Sequence, residues 1–270
     1  MAKILVTGGT GHLGRDLVPA LTVSGYDVRL LARKGQADRS VEWVIGDLVS
    51  GVGLENALRG VDTVIHAATL SPIARRGMRI VDFFSSPSAV DVEGTKHLLA
   101  ASQRAGISHF IFVSIVGLAH STLPYSRVKL AGERLVQESP LSWSVIRATP
   151  FYYLLGQMLA GLRWLPVWPL PTSPSNPVDT RDVASYLAEA VSDGERGMRP
   201  EIGGPEVLPF PTLARQYRDA LGLKRLILPL PVSRKMSLAL GLVETGERLG
   251  ERTWRAWLSE QGEPFARVLS

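Results

Sequence analysis

Along the first half of the chain, short apolar runs alternate with longer ones whose apolar positions recur every three or four residues. The short runs are Lys3–Thr7, Asp27–Ala32, Val41–Ile45, Val61–His66, Ser108–Ser114 and Trp143–Ala148, and they read as six strands. Between them, Gly11–Ser24 carries Leu13, Leu17 and Leu21 at helical spacing. Leu54–Leu58, Ala89–Ala105 (stopped by Gly106) and Tyr125–Glu138 also read as helices. A parallel partner needs a long return connection, so strands separated by helices predict a parallel sheet. Strands this apolar fit a sheet covered on both faces. The expected class is therefore α/β, a doubly wound parallel sheet.

After Pro150 the rhythm fades. Trp, Pro and Leu become frequent, and Thr172–Pro177 carries loop signals. Helices are expected at Thr180–Val191, Thr212–Leu221 and Ser233–Leu249. The division expected is a nucleotide-binding part over 1–150 and a small, mostly helical substrate lobe over 151–270. The lobe is packed on the same sheet's carboxyl edge and is not an independent domain.

Composition narrows the chemistry. The chain has no cysteine, which excludes disulfides, thiolate metal sites and a Cys nucleophile. No His pair has ligand spacing, so no metal is expected. The net charge of +5 is spread through short pairs such as Arg33-Lys34, Arg75-Arg76 and Arg234-Lys235. That pattern suits a solvated surface and an anionic small molecule better than nucleic acid. The apolar run Phe151–Leu170 is interrupted by Gln157, Arg163, Pro166 and Pro169, so a helix followed by a Pro-rich loop is expected rather than a span. Peripheral membrane contact is left open. The opening residues run straight into a strand, and the expectation is a cytoplasmic protein.

The first strand runs into Gly8-Gly9-Thr10-Gly11-His12-Leu13-Gly14 and then a helix. A tight turn, a close backbone and a helix N-terminus aimed at phosphate are what a dinucleotide diphosphate needs, in the Rossmann arrangement. Gly8, Thr10, Gly11, His12, Leu13 and Gly14 are the candidate contacts. The second strand ends at Arg33 and Lys34, where a carboxylate would instead bond the ribose hydroxyls of NAD. A guanidinium fork suits a 2′-phosphate, so NADP(H) is expected, with NAD(H) as the alternative. Asp47 and Leu48 end the third strand, with Asp47 a candidate acceptor for the adenine amino group. Ala67, Ala68 and Thr69 follow the fourth strand and are small enough for the cofactor to pass.

Tyr125 and Lys129 lie four apart on one helical face. An ammonium beside a phenol favours its anion, so the pair is a candidate proton-transfer couple. The glycine turn, Gly46-Asp47-Leu48, His66-Ala67-Ala68, Asp91–Lys96, Phe112-Val113-Ser114, Tyr125…Lys129 and Pro177–Ala184 together resemble the short-chain dehydrogenase/reductase superfamily. They resemble most its atypical or extended branch, with NmrA-like, NAD(P)H-binding members. The match spans about residues 1–210. The resemblance implies that Gly8, Gly11 and Gly14 hold the pyrophosphate, that Arg33 selects NADP, and that Tyr125, Lys129 and Pro150 sit at the nicotinamide. In one place the chain departs from the pattern. The family's catalytic hydroxyl has Ile115 in its position, and Ser114, one residue earlier, is expected to point to the opposite face.

The aromatic cluster of Phe151, Tyr152, Tyr153, Leu154, Met158, Trp164, Leu165, Val167 and Trp168 suggests an apolar or aromatic small-molecule substrate. Arg75, Arg76 and Arg79 are candidates for contacting an anionic group. Three functions are carried forward: an NADP-dependent oxidoreductase on a small hydrophobic carbonyl, enone or quinone-like compound; a dinucleotide-binding redox sensor without turnover; and a nucleotide-sugar epimerase or dehydratase. By analogy with the family, the helices over 89–105 and 125–138 could form a homodimer face.

Overall fold

The computed structural model describes residues 1–35, 40–70, 86–194, 196–239 and 242–267, with side chains to residue 261 in the last segment. Arg75, Arg76 and Arg79 lie outside the described residues. Six strands come first: β1 (Lys3–Thr7), β2 (Asp27–Ala32), β3 (Glu42–Ile45), β4 (Thr63–His66), β5 (His109–Ile115) and β6 (Trp143–Ala148). They pair side by side in the order β3-β2-β1-β4-β5-β6, each parallel to its neighbour. The direction of winding reverses between β1 and β4. In an open α/β sheet, a ligand crevice forms at that point, beyond the carboxyl ends of the strands.

Alternate residues of each strand face opposite sides. Ile4, Val6, Ile111, Val113 and Ile146 meet Leu13, Leu17 and Leu21 of α1 (His12–Val23) and Val183 and Leu187 of α6 (Thr180–Ser192). Leu5, Val64, Phe110, Phe112 and Val145 meet the other layer. That layer is α2 (Leu54–Leu58), α3 (Thr95–Ala105) and α4 (Pro124–Gln137). A third cluster, with Tyr152, Trp168, Phe210, Tyr217, Trp254 and Trp257, joins α5 (Tyr152–Gly161) to α7 (Phe210–Ala220) and α9 (Trp254–Arg267).

Three expectations change. The helix expected over 89–105 opens as a wide π turn, Ala89–Gly94, before α3. The turn holds Asp91 where its carboxylate bonds Thr69 and Leu70, and Gly94 has no side chain to strike Leu48. The helix expected over 233–249 ends early as α8 (Arg234–Ala239). Asn176 clamps the main chain of Thr245 through both its amide atoms, and Gly250 lies against Asp182, where a Cβ would fall 2.5 Å from Oδ2. These contacts pull the chain away from a helix. The Pro-rich loop is instead β7 (Val167–Pro171), paired parallel with β12 (Leu226–Leu230). Prolines are tolerated there because the ribbon has only two strands and each has a free edge.

A second ribbon pairs β8 (Pro174–Ser175) with β11 (Leu208–Pro209). Three further strands from beyond residue 150 join the main sheet: β9 (Gly197–Met198), β10 (Ile202–Gly203) and β13 (Arg248–Leu249). Among the described residues, the main sheet thus has nine strands. Among the described residues, no helix is long and apolar enough to cross a membrane.

Candidate functional site

The glycine turn leaves β1 at the switch point. Gly8 has φ +80°, and a Cβ on it would lie 2.8 Å from the main chain of Ala67 and Ala68. A Cβ on Gly14 would lie 2.5 Å from Gly8 O and Gly9 Cα. These two glycines let three backbone segments touch. Gly11 differs: its Cβ would meet only Gly8 O, at 3.2 Å, and its N–H already donates to that oxygen. Gly11 caps α1 without a side-chain acceptor, and no acid occupies the first turn. The first-turn amides therefore lack a side-chain partner, and the positive end of the helix opens beside exposed Thr10, Gly11 and His12. An anionic diphosphate fits this cradle. Leu13 is buried in the core, so only its main chain can face a ligand. The His12 ring stacks on Tyr153 of α5 at 3.9 Å.

Arg33 and Lys34 are exposed just past the end of β2. Asp47 is half-buried, and its Oδ1 accepts from Val49 N, bracing its own turn. Leu48 is buried against Gly94 and turns its carbonyl to His97. Ala67 and Ala68 are half-buried beside Gly8, and Thr69 is exposed. Half-buried Pro150 accepts from Val178 N through its carbonyl.

A directed hydrogen-bond chain runs beneath the turn. Ala68 N donates to Thr7 Oγ1, which bonds His66 Nδ1; His66 Nε2 bonds Thr95 Oγ1, which donates to the Asp91 carbonyl. Because the Thr95 proton is committed to Asp91, His66 must be the Nε2–H neutral tautomer, accepting from Thr7. Burial, helped by the Lys129 charge, pushes the His66 pKa down to about 3. His109 of β5, bonded through Nε2 to Ser144, is pushed down to about 4, again mainly by burial.

Both values lie below the ordinary 6.5, so the unfolded chain takes up two protons that the folded chain refuses. Stability is therefore complete above pH 6.5 and is lost as pH falls towards 4 and then 3. Each histidine contributes up to about 1.4 kcal/mol per pH unit in its window. Urea midpoints measured from pH 7 downwards should show this slope, and His109→Gln should roughly halve it above pH 4. A flat profile between pH 6.5 and 4 would contradict the neutral buried state of both rings.

The chain of contacts continues to the Tyr–Lys pair. Tyr125 and Lys129 stand on α4. Tyr125 Oη lies 3.1 Å from Thr69 Oγ1, which donates to Asp91 Oδ1 at 2.7 Å. Leu70 N donates to the other Asp91 oxygen. Lys129 is buried, donates to the Val113 carbonyl at 2.8 Å, sits 3.6 Å from Asp91 Oδ1, and lies over the Phe112 ring. Its ammonium is thus engaged by Asp91 and is not offered to the phenol. Burial first, and then the Asp91 carboxylate, raise the Tyr125 pKa above its usual value. This is opposite in direction to what the Tyr–Lys spacing suggested. Asp91 is the reason, and as an acid inside an otherwise ordinary helical run it gave little signal in the sequence.

Ser114 is buried and its Oγ has no hydrogen-bond partner. By alternation it shares a face with Phe112, the α4 side, whereas Ile115 points to the other. Trp168 and Tyr152 belong to the core, while Trp164 and Val167 face outward. Phe151 and Tyr153 are the aromatics that remain half-buried beside His12. Asp179 caps α6, Thr180 donates to Asp16 of α1, and Asp182 accepts from Glu251 N and Arg252 N. Pro177–Ala184 is therefore a clamp between the glycine-turn helix and the last helix. Among the described residues, no group of His, Asp and Glu could hold a metal ion.

A turn of this kind belongs to nucleotide-binding sheets in general, and comparison with known proteins narrows it. The family model described as NAD(P)H-binding matches residues 8–194. The chain belongs to the NAD(P)H-binding family of the short-chain dehydrogenase/reductase superfamily. It is 33% identical over 198 residues to photosystem II assembly factor Ycf39 of Cyanophora paradoxa, covering 70% of this chain and 59% of that protein. It is 28% identical over 226 residues to the chloroplastic divinyl chlorophyllide a 8-vinyl-reductase of Cucumis sativus, covering 75% and 53%. The chain thus spans between half and three fifths of the length of these curated relatives. A solved short-chain dehydrogenase/reductase superfamily protein from Agrobacterium tumefaciens, with bound NAD, superimposes with TM-score 0.71. It shares 22% identity and covers 98% of this NAD(P)H-binding chain and 97% of its own. At that identity the likeness shows the fold.

Proposed function

We propose that this chain is an NADP(H)-dependent oxidoreductase acting on a small, rather hydrophobic carbonyl, alcohol, enone or quinone-like compound. The observation that carries this reading is the Tyr125 hydroxyl, held 3.1 Å from Thr69 beside the glycine turn, with Lys129 one helical turn on. The first-turn amides of α1 hold the diphosphate, with Thr10, Gly11 and His12 at the rim. Arg33, with Lys34, grips the 2′-phosphate. Asp47 accepts from the adenine amino group, and Ala67, Ala68 and Pro150 give the cofactor room. When bound, the nicotinamide supplies or takes the hydride. The phenol of Tyr125 keeps its proton through neutral pH and gives it from Oη to the substrate oxygen or carbon, so the pair works best in the reductive direction. Thr69 and Asp91 aim that hydroxyl. Phe151 and Tyr153 wall the space with apolar surface. The likeness to an 8-vinyl-reductase supports a reductive activity.

The test is NADPH consumption, followed by absorbance, against a panel of hydrophobic carbonyls, enones and quinones. Arg33→Ala should weaken NADPH binding by roughly 10- to 100-fold, as expected for losing a charge-assisted phosphate contact. NADH binding should be unchanged. Equal NADPH affinity in the variant, measured by calorimetry, would remove the NADP assignment.

One observation favours a second reading, a dinucleotide-binding sensor without turnover. The Lys129 ammonium is committed to Val113 and Asp91, and Ile115 occupies the position that carries the catalytic hydroxyl in the superfamily pattern this chain resembles. Tight NADPH binding with no consumption across the whole panel would select it.

A further inference from the structure

The β7–β12 ribbon has two unlike faces. Trp168, Leu170 and Ile227 turn inward and are buried. On the other face, the parallel register sets Val167 beside Leu226, Pro169 beside Leu228 and Pro171 beside Leu230. Leu226 is 64% exposed, and Leu228, Leu230 and Val167 are exposed with it. Trp164, just before β7, is 77% exposed, and Met236, after β12, is exposed too. A continuous outward apolar face of this kind on a folded chain marks a contact surface.

The charge around it is one-signed. Residues 158–178 and 220–243 contain no Asp or Glu, but they contain Arg163, Lys224, Arg225, Arg234 and Lys235. These five equal the chain's whole formal excess of 30 − 25 = +5. Arg163, Lys224 and Arg225 precede the two parallel strands, and Arg234 and Lys235 follow β12, so cations flank the apolar face at both ends. Among the described residues, none of Lys224, Arg225, Arg234 and Lys235 is paired with a carboxylate, and nearby Asp219 is held by Arg218.

We propose that this face docks on an anionic lipid surface, with the leucines and Trp164 entering the headgroup boundary and the flanking cations meeting lipid phosphates. Apolar residues, an exposed Trp and a basic rim together are the chemistry that bilayer interfaces select. Two other occupants fit less well. A second copy meeting the same face about a two-fold axis would bring its own five cations against these. An added peptide strand would find edges interrupted by Pro169, Pro171 and Pro229, which offer no N–H. The inference does not depend on whether the Tyr125 site turns over.

The test is cosedimentation of the whole chain with phosphatidylcholine vesicles, with and without phosphatidylglycerol. The chain should partition onto the anionic vesicles at least about tenfold better, and added salt should weaken it. Leu226→Glu with Leu228→Glu should abolish sedimentation while NADPH binding stays intact. A Lys224→Gln, Arg234→Gln, Lys235→Gln variant alters only exposed side chains and should lose roughly tenfold or more on anionic vesicles. Absence of binding to either vesicle, binding undiminished in both variants, or a dimer in light scattering that the Glu variant dissolves would each overturn the proposal.

Discussion

Tyr125→Phe should lower NADPH-dependent turnover by about 10²- to 10⁴-fold, the range for losing a positioned proton donor. NADPH affinity should stay within about twofold, because removing one hydroxyl contact changes binding little. The geometry makes the expectation specific. The Tyr125 Oη has Thr69 Oγ1 at 3.1 Å, and Thr69 spends its own proton on Asp91, so the phenol donates to Thr69 and must turn its proton from Thr69 to a substrate. With the pKa raised by burial and by Asp91, the acid form persists past pH 10, and reduction should show no alkaline loss from this group below that point. Asp91→Asn should lower the phenol pKa and release Lys129, moving the alkaline limb to lower pH. Single-turnover rates and a pH profile of kcat check both statements. A Tyr125→Phe variant with undiminished turnover on every substrate would show that another group gives the proton.

The second large effect separates glycines that look alike in the motif. Gly14→Ala puts a Cβ 2.5 Å from Gly8 O and Gly9 Cα, both backbone, so nothing nearby can swing aside. Either α1 lifts off the sheet or the turn opens. We expect a loss of about 1–3 kcal/mol or more, the range for overpacking a tight contact, together with loss of NADPH binding. Gly11→Ala meets only Gly8 O at 3.2 Å, so the fold should survive with a loss below about 1 kcal/mol, while NADPH binding weakens at least tenfold because the methyl group stands at the open end of α1. Thermal melts and calorimetry on the two variants check the contrast. Equal stability of both would show that the helix does not depend on that close approach.

Much of the site could be read along the chain because its parts are local. A strand, a glycine turn and a helix N-terminus are contiguous, so the cradle proposed for the diphosphate is written in seven neighbouring residues. Tyr125 and Lys129 share a face because a helix has a fixed period. Arg33 follows its strand directly in the sequence, and in the fold it stands just past the end of β2. Strand period and crossover length likewise give the parallel sheet through β6.

What the sequence left open depends on contacts between distant segments. Asp91 is 22 residues from Thr69 and 38 from Lys129, and no periodicity signals that a carboxylate will capture the ammonium meant for the phenol. The wide turn at Ala89–Gly94 and the non-helical path from residue 242 onward have the same origin: Asn176, Asp182 and Asp91 hold main chain from elsewhere, and such bonds override local helix preference. The alternation in Val167–Pro171 and Leu226–Leu230 was present all along, but each half reads as a proline-rich loop until the other, some sixty residues away, is set beside it. Local spacing alone therefore determined the sheet, the turn and the cofactor class. Tertiary structure decided the protonation of the site and the face turned to the outside, because burial and charge are properties of neighbours that the chain brings together only on folding.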